Sequence, residues 1–164
     1  MKNPMKTIIA LLLLVTCSTA ALARLGETNV EIKARYGAVS KRTDTGTNTW
    51  SGAYTFKEYN IFVYFRSNRC ECEYVYPIEA RKFADAERDA LINSIAGNDH
   101  WIRDHSASAS ASVSDLWRNK DTGAVAFVKN EAYKPSMLVV SSHDFALQAG
   151  TDQEKEEKSR AAGF

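Results

Sequence analysis

From Trp50 onward the chain alternates with a period of two, and the alternation is interrupted at short intervals. Ala53-Tyr54-Thr55-Phe56 leads into Lys57-Glu58-Tyr59-Asn60, Ile61-Phe62-Val63-Tyr64-Phe65 reaches Ser67-Asn68, and Cys70-Glu71-Cys72-Glu73-Tyr74-Val75-Tyr76 ends at Pro77. Successive strand residues point to opposite sides, and connections this short return a strand antiparallel to its neighbour. The pattern predicts a three-stranded antiparallel meander. On its second strand Ile61, Val63 and Phe65 share one face; on its third Cys70, Cys72, Tyr74 and Tyr76 share one, with Glu71 and Glu73 opposite. One side of such a sheet is dry and the other wet.

The segments around the meander follow helical rules. Thr28 with Glu31 three residues on is a capping box and Gly37 a stop, so a short helix over 28–36 is expected, with Ile32 and Tyr36 on one stripe and Val30 nearby. Lys41 to Asn48 is polar and rich in Gly and Thr, which reads as a loop. Ala84 to Gly97 is helical again, with Asp85 as N-cap, Leu91, Ile92 and Ile95 at helical spacing, and Gly97 as stop. Ser106 to Ser112 alternates Ser and Ala and reads as a loop tip or linker. Three further strands follow, at Asp115–Arg118, Ala124–Val128 and Met137–Ser141, with a turn at Asp121-Thr122-Gly123 and a connection through Tyr133-Lys134-Pro135-Ser136.

The expected class is therefore α+β, with two short helices packed on one face of an antiparallel sheet in the order helix, three strands, helix, three strands. Residues 24–147 form one domain, and 148–164, dominated by Glu154-Lys155-Glu156-Glu157-Lys158, form a charged, flexible tail, frayed or weakly helical. Gly37 precedes Trp50 by 13 residues and Gly97 precedes Trp117 by 20, which leaves a duplication of the two halves open.

The first 23 residues have the grammar of a secretory signal: Lys2 and Lys6, an apolar core from Ile8 to Val15, then Ser18-Thr19-Ala20-Ala21-Leu22-Ala23. Eight apolar residues make about 12 Å of helix against a hydrocarbon layer of about 30 Å, too short for a stable transmembrane span. Ala21-x-Ala23 places cleavage before Arg24. A rival reading takes Leu14-Val15-Thr16-Cys17 as a lipobox that would anchor the chain through Cys17, although Thr16 stands where such boxes prefer Gly, Ala or Ser. The expected location is periplasmic or secreted. Removing Lys2 and Lys6 from the 21 basic residues leaves 19 against 20 acidic, so no electrostatic footprint for nucleic acid exists.

Gly26-x-Thr28, Ile32, Tyr36-Gly37, Trp50, Tyr54, Ile61-x-Val63-x-Phe65 and the Asn68 turn together resemble small bacterial envelope proteins of the β-lactamase-inhibitory-protein fold and the small outer-membrane assembly lipoprotein. The resemblance covers residues 25–76, and Ala38-Val39 stand where that pattern has a Pro after the helix-ending Gly. It implies helices on one face of an antiparallel sheet, and binding to other proteins without catalysis. The chain also resembles secreted proteins of the same helix and meander order.

Asp99-His100-Trp101-Ile102-Arg103-Asp104-His105 is the densest polar cluster, yet a five-residue spacing gathers the imidazoles around one ion on neither a helix nor a strand. His143-Asp144 is sparser still. Cys70 and Cys72, two apart on one strand, lie at or beyond the Cα separation a disulfide accepts and read as buried thiols. No nucleophile elbow, Ser-x-x-Lys, catalytic Cys signature or phosphate-binding Gly loop occurs in the sequence. No cofactor or metal is expected. The reading is an exported, non-catalytic protein that binds another envelope or secreted protein, with Tyr54, Tyr59, Tyr64, Tyr74 and Tyr76 as the candidate surface. The alternative is a small secreted enzyme or metal-binding protein with a site around His100 and His105.

Overall fold

A computed structural model describes residues 24–96, 100–104, 113–130 and 134–162. The alternation is realised as eight strands in one antiparallel sheet: β1 (Lys41–Gly46), β2 (Thr49–Phe56), β3 (Tyr59–Arg66), β4 (Arg69–Pro77), β5 (Trp101–Arg103), β6 (Val113–Asn119), β7 (Val125–Lys129) and β8 (Met137–Ser141). The helices are α1 (Asn29–Tyr36), α2 (Asp85–Ala96) and α3 (His143–Ala162). The sheet order is β1-β2-β3-β4-β8-β7-β6-β5, so β4 and β8, the last strands of two meanders, pair at the centre.

The α+β class holds, but each meander has four strands and not three. Lys41–Gly46 is a strand, not a loop: every one of its residues is exposed, and its order comes from pairing with Trp50 to Ala53 rather than from any apolar face of its own. Its Lys41 and Arg42 suit an edge strand, where charge discourages further pairing. Trp101–Arg103 is the matching outer strand of the second half, paired with β6. Helix followed by a four-stranded meander thus occurs twice, and the two units meet through β4 and β8. The low-complexity run 106–112 and the cap residue Gly97 lie outside the described residues.

Two local signals are realised in atomic detail. Thr28 caps α1, accepting from the Glu31 backbone, while the Glu31 carboxylate accepts the Thr28 backbone N–H at 2.8 Å. Gly37 follows with φ 85°. Thr28→Ala is expected to cost about 1 kcal/mol in equilibrium denaturation, since the Glu31 N–H loses its acceptor. In α2 the cap lies one residue earlier than expected: Arg88 N–H donates to the Ala84 carbonyl, and Glu87 turns back to accept the Ala84 N–H at 3.1 Å. Asp85 is instead the first helical residue and pairs with Arg88.

α1 and α2 cover one face of the sheet. Ile32 and Tyr36 of α1 and Leu91, Ile92 and Ile95 of α2 join Trp50, Tyr54, Ile61, Val63, Phe65, Val75, Trp117, Val128, Leu138 and Val140 in one buried cluster. Trp50 stacks on Phe65 with ring centroids 4.0 Å apart, and Arg42 lies over the Trp50 ring from the outer strand. Trp117 in the second half carries Arg103 of β5 and Arg88 of α2 over its own ring. α3 belongs to the opposite face. Ser142 caps it, Phe145 packs on Tyr64 with centroids 5.0 Å apart, and Gln148 accepts from Arg66. The segment expected as a flexible tail from residue 148 is the continuation of this helix as far as Ala162.

Candidate functional site

The register of β3 against β4 decides which side chains meet solvent. Phe65 pairs with Cys70 and Tyr64 with Cys72, so Glu71 is an extra residue and the alternation of β4 slips by one there. Beyond the bulge Glu73 and Val75 face the helices with Ile61 and Val63, while Cys72, Tyr74 and Tyr76 face the other way with Tyr64, Phe62 and Asn60. The expectation that Cys70 and Cys72 share one face and Glu71 and Glu73 the wet one is therefore corrected. A one-residue insertion flips every side chain that follows it.

Its consequence is a carboxyl in the core. Glu73 is 0% exposed beneath α1, where Tyr36 Oη donates to its Oε2 at 3.0 Å and the Cys70 thiol donates to its Oε1 at 3.6 Å. Burial pushes its pKa up to about 8, against the lowering effect of these two donors. Burial likewise raises the Cys70 and Cys72 thiols, both free. Glu71 stays half-buried on the bulge, where Ser142 Oγ donates to its carboxylate and the Ser142 N–H to its carbonyl, tying β4 to the start of α3.

The five candidate tyrosines divide between the two faces. Tyr54 and Tyr59 belong to the core, 2% and 8% exposed, and leave the candidate surface. Tyr54 rests against Tyr36, and its hydroxyl has no hydrogen-bond partner among the described residues. Tyr59 donates to Glu87 Oε1 at 2.6 Å; burial and that carboxylate push its pKa up to about 12. Arg81 in turn grips both Glu87 oxygens at 2.8 Å and holds that carboxyl down at about 2. The physical reason for the division is alternation: Tyr54 and Tyr59 share parity with Ile61 and Val63 across the hairpin, whereas Tyr64 does not.

Tyr64, Tyr74 and Tyr76 remain half-buried on the face opposite α1 and α2. Phe62 stands among them, 45% exposed and edge-on to Tyr76 at 5.8 Å. Sheet pairing continues this strip: Tyr74 is opposite Val139, Val139 opposite Phe127, and Phe127 opposite Leu116. A hollow of 260 Å³ lies at its margin, lined by Tyr76, Lys129, Lys134, Pro135 and Met137. Phe62 carried a readable signal, since it alternates with Ile61 and Val63. Phe127, Lys129 and Met137 carried none, because they reach the tyrosines only through the β4–β8 pairing.

Of the histidine cluster the structure describes His100 to Asp104. His100 is exposed and its Nδ1 meets Asp121 Oδ2 in the β6–β7 turn, while Asp104 accepts from Arg118 at 2.9 Å. Asp99 and His105 lie outside the described residues. Among the described residues no group of three or more His, Cys, Asp or Glu is placed to hold a metal ion, and no helix is long and apolar enough to cross a membrane.

No protein-family model matches the chain, and no curated protein matches it. Among solved structures it is similar to a cysteine-rich secretory protein from Staphylococcus aureus subsp. aureus Mu50, with a TM-score of 0.48 and 10% identity over 74% of this chain. The chain spans 44% of that protein's length.

Proposed function

We propose that this chain is exported by its N-terminal segment, processed before Arg24, and acts without catalysis by binding another envelope or secreted protein through the sheet face opposite α1 and α2. The observation that carries this reading is the strip Phe62, Tyr64, Tyr74, Tyr76 and Phe127 on paired strands, with Phe62 45% exposed and the other four half-buried. Aromatic side chains on a strand present large area with few rotamers to freeze, which suits a protein contact. Arg66, Arg118 and Lys129 stand at the margins of the strip, and Lys129 and Lys134 line the hollow beside Tyr76. The partner that fits presents an apolar centre to this strip.

Affinity capture from the protein's own envelope fraction, with the tagged mature chain, tests this. A captured protein should be lost on Phe62→Glu and Tyr76→Ala, and retained on Lys33→Glu, an exposed site of α1. Loss should exceed tenfold for Phe62→Glu, as for a central contact worth at least about 1.4 kcal/mol. Equal capture by all three variants, with unchanged thermal unfolding, sinks the sheet-face reading.

A further inference from the structure

The turn that follows Ala21-x-Ala23 is tied to three elements at once. Glu27 N–H donates to the Arg24 carbonyl at 3.0 Å, closing a turn in which Gly26 has φ 85°. Leu25 N–H donates to the Ile95 carbonyl at the end of α2, Gly26 N–H to the Cys70 carbonyl at 2.7 Å, and Cys70 N–H to the Glu27 carbonyl at 2.8 Å. Arg69 of β4 adds a bond from Nη1 to the Gly26 carbonyl. Within this clamp the Arg24 backbone nitrogen lies 3.1 Å from Glu27 Oε2. That same oxygen accepts from Arg35 Nε of α1 at 2.9 Å, and the Glu27 side chain is only 13% exposed.

We propose that hydrolysis of the Ala23–Arg24 bond delivers the new α-ammonium group onto Glu27 and completes an ion cluster of α-ammonium, Glu27 and Arg35 that fastens α1 over the core. The inference rests on the export reading above. In the step, water adds to the Ala23 carbonyl carbon under a membrane-bound signal endopeptidase. The C–N bond breaks, Ala23 leaves as a carboxylate, and the Arg24 nitrogen takes up protons to become an ammonium. One water is consumed and nothing is oxidised or reduced. As an amide that nitrogen offers one neutral donor. As an ammonium it offers three donors and a full charge to a carboxylate already shielded from water, and charge-assisted hydrogen bonds are roughly twice as strong as neutral ones.

The charged groups around the site support the assignment. Arg35, Glu31 and Tyr36 face it from α1, Arg69 and the buried Cys70 and Glu73 from β4, and α2 contributes the Ile95 carbonyl. Glu31 acts electrostatically on both Arg35 and Arg69, so Glu27 is not the only anion balancing the cations gathered here. An N-terminus one residue longer would carry its charge about 3.8 Å further along the chain and forfeit the contact.

The test uses mature protein recovered from the envelope fraction, the same chain with one Ala ahead of Arg24, and Glu27→Gln. Intact mass locates the N-terminus, and competitive acylation across pH, read by mass spectrometry, titrates its amine. The expected result is a chain starting at Arg24 whose α-amine titrates about half a unit to one unit above the ordinary range of about 7.7 to 8.0. In both altered chains it should return to that range. The Ala-extended chain keeps the Glu27–Arg35 pair, so its result stands even if Glu27→Gln fails to fold. A start at Arg24 with an ordinary amine in the mature chain overturns the ion cluster and leaves the export reading intact. A start elsewhere, or a diacylglyceryl mass on Cys17, overturns the processing reading itself.

Discussion

Between about pH 4.5 and pH 8 the free energy of unfolding should fall as pH rises, by about 4 kcal/mol over the whole interval, and Glu73→Gln should abolish most of that slope. The sign follows from proton counting. In the unfolded chain Glu73 ionises near its ordinary value of 4.5; in the folded chain it holds its proton up to about 8. Within that window the native state binds the extra proton, so each pH unit removes about 1.4 kcal/mol, and above pH 8 the loss is complete. Burial is the largest cause: among the described residues the partners of Glu73 are Tyr36 Oη and the Cys70 thiol, with the paired Arg35 and Glu27 further out.

Glu87 works in the opposite sense. Its carboxyl is held at about 2 by Arg81, so its contribution is present above 4.5 and drains away as pH falls toward 2. The two contributions meet, and stability should peak near pH 4.5 to 5. The raised thiols of Cys70 and Cys72 extend the alkaline loss above their ordinary value of 9.0. Urea denaturation at unit pH steps measures the profile. A wild-type curve that is flat from pH 5 to 8, or one that Glu73→Gln leaves unchanged, contradicts the assignment of the buried carboxyl.

Ile95→Ala should destabilise the fold by about 3 to 5 kcal/mol, and Leu91→Ala by about 2 to 4. Ile95 is 0% exposed and Leu91 6%, and both lie on the stripe with which α2 covers the second meander and the central strands. Truncation leaves a cavity that neighbouring strands, fixed by their ladders, cannot close. Ile95 carries the larger expectation because its carbonyl also receives the Leu25 N–H, so α2 is held there from two sides and collapses less. Chemical denaturation at pH 5, below most of the Glu73 transition, isolates the packing effect. A change within about 0.5 kcal/mol, the range of an ordinary surface site, would show that this stripe faces away from the sheet.

Much of the local architecture was readable because its causes are local. Thr28, Glu31 and Gly37 bound α1 through contacts within a few residues, and Ser67-Asn68 brings β3 back as β4 with both residues at positive φ, as a two-residue hairpin turn requires. Leu91, Ile92 and Ile95 declare their face through spacing alone. The edge strands were not readable. Lys41–Gly46 has no alternation because it buries nothing, and its strand character exists only in the bonds that β2 offers it.

The bulge at Glu71 marks the boundary between what the sequence by itself determined and what the tertiary structure decided. Composition and period assign helices, meanders, the class and the parity of β2 and β3, because hydrophobic burial acts on each segment separately. Nothing in Cys70-Glu71-Cys72-Glu73 says that the ladder skips a residue. A straight strand would leave both glutamates on the wet face, whereas the phase observed buries Glu73 so that Val75 can join Ile61 and Val63 while Tyr74 and Tyr76 join Phe62. The choice is made by all the residues after the bulge together, through long-range pairing with β3 and β8. The same pairing sorts five tyrosines of one composition into two for the core and three for the surface. The strip they form with Phe127 and Val139 comes from residues more than fifty positions away, brought alongside by hydrogen bonds between β4 and β8 that no local pattern encodes.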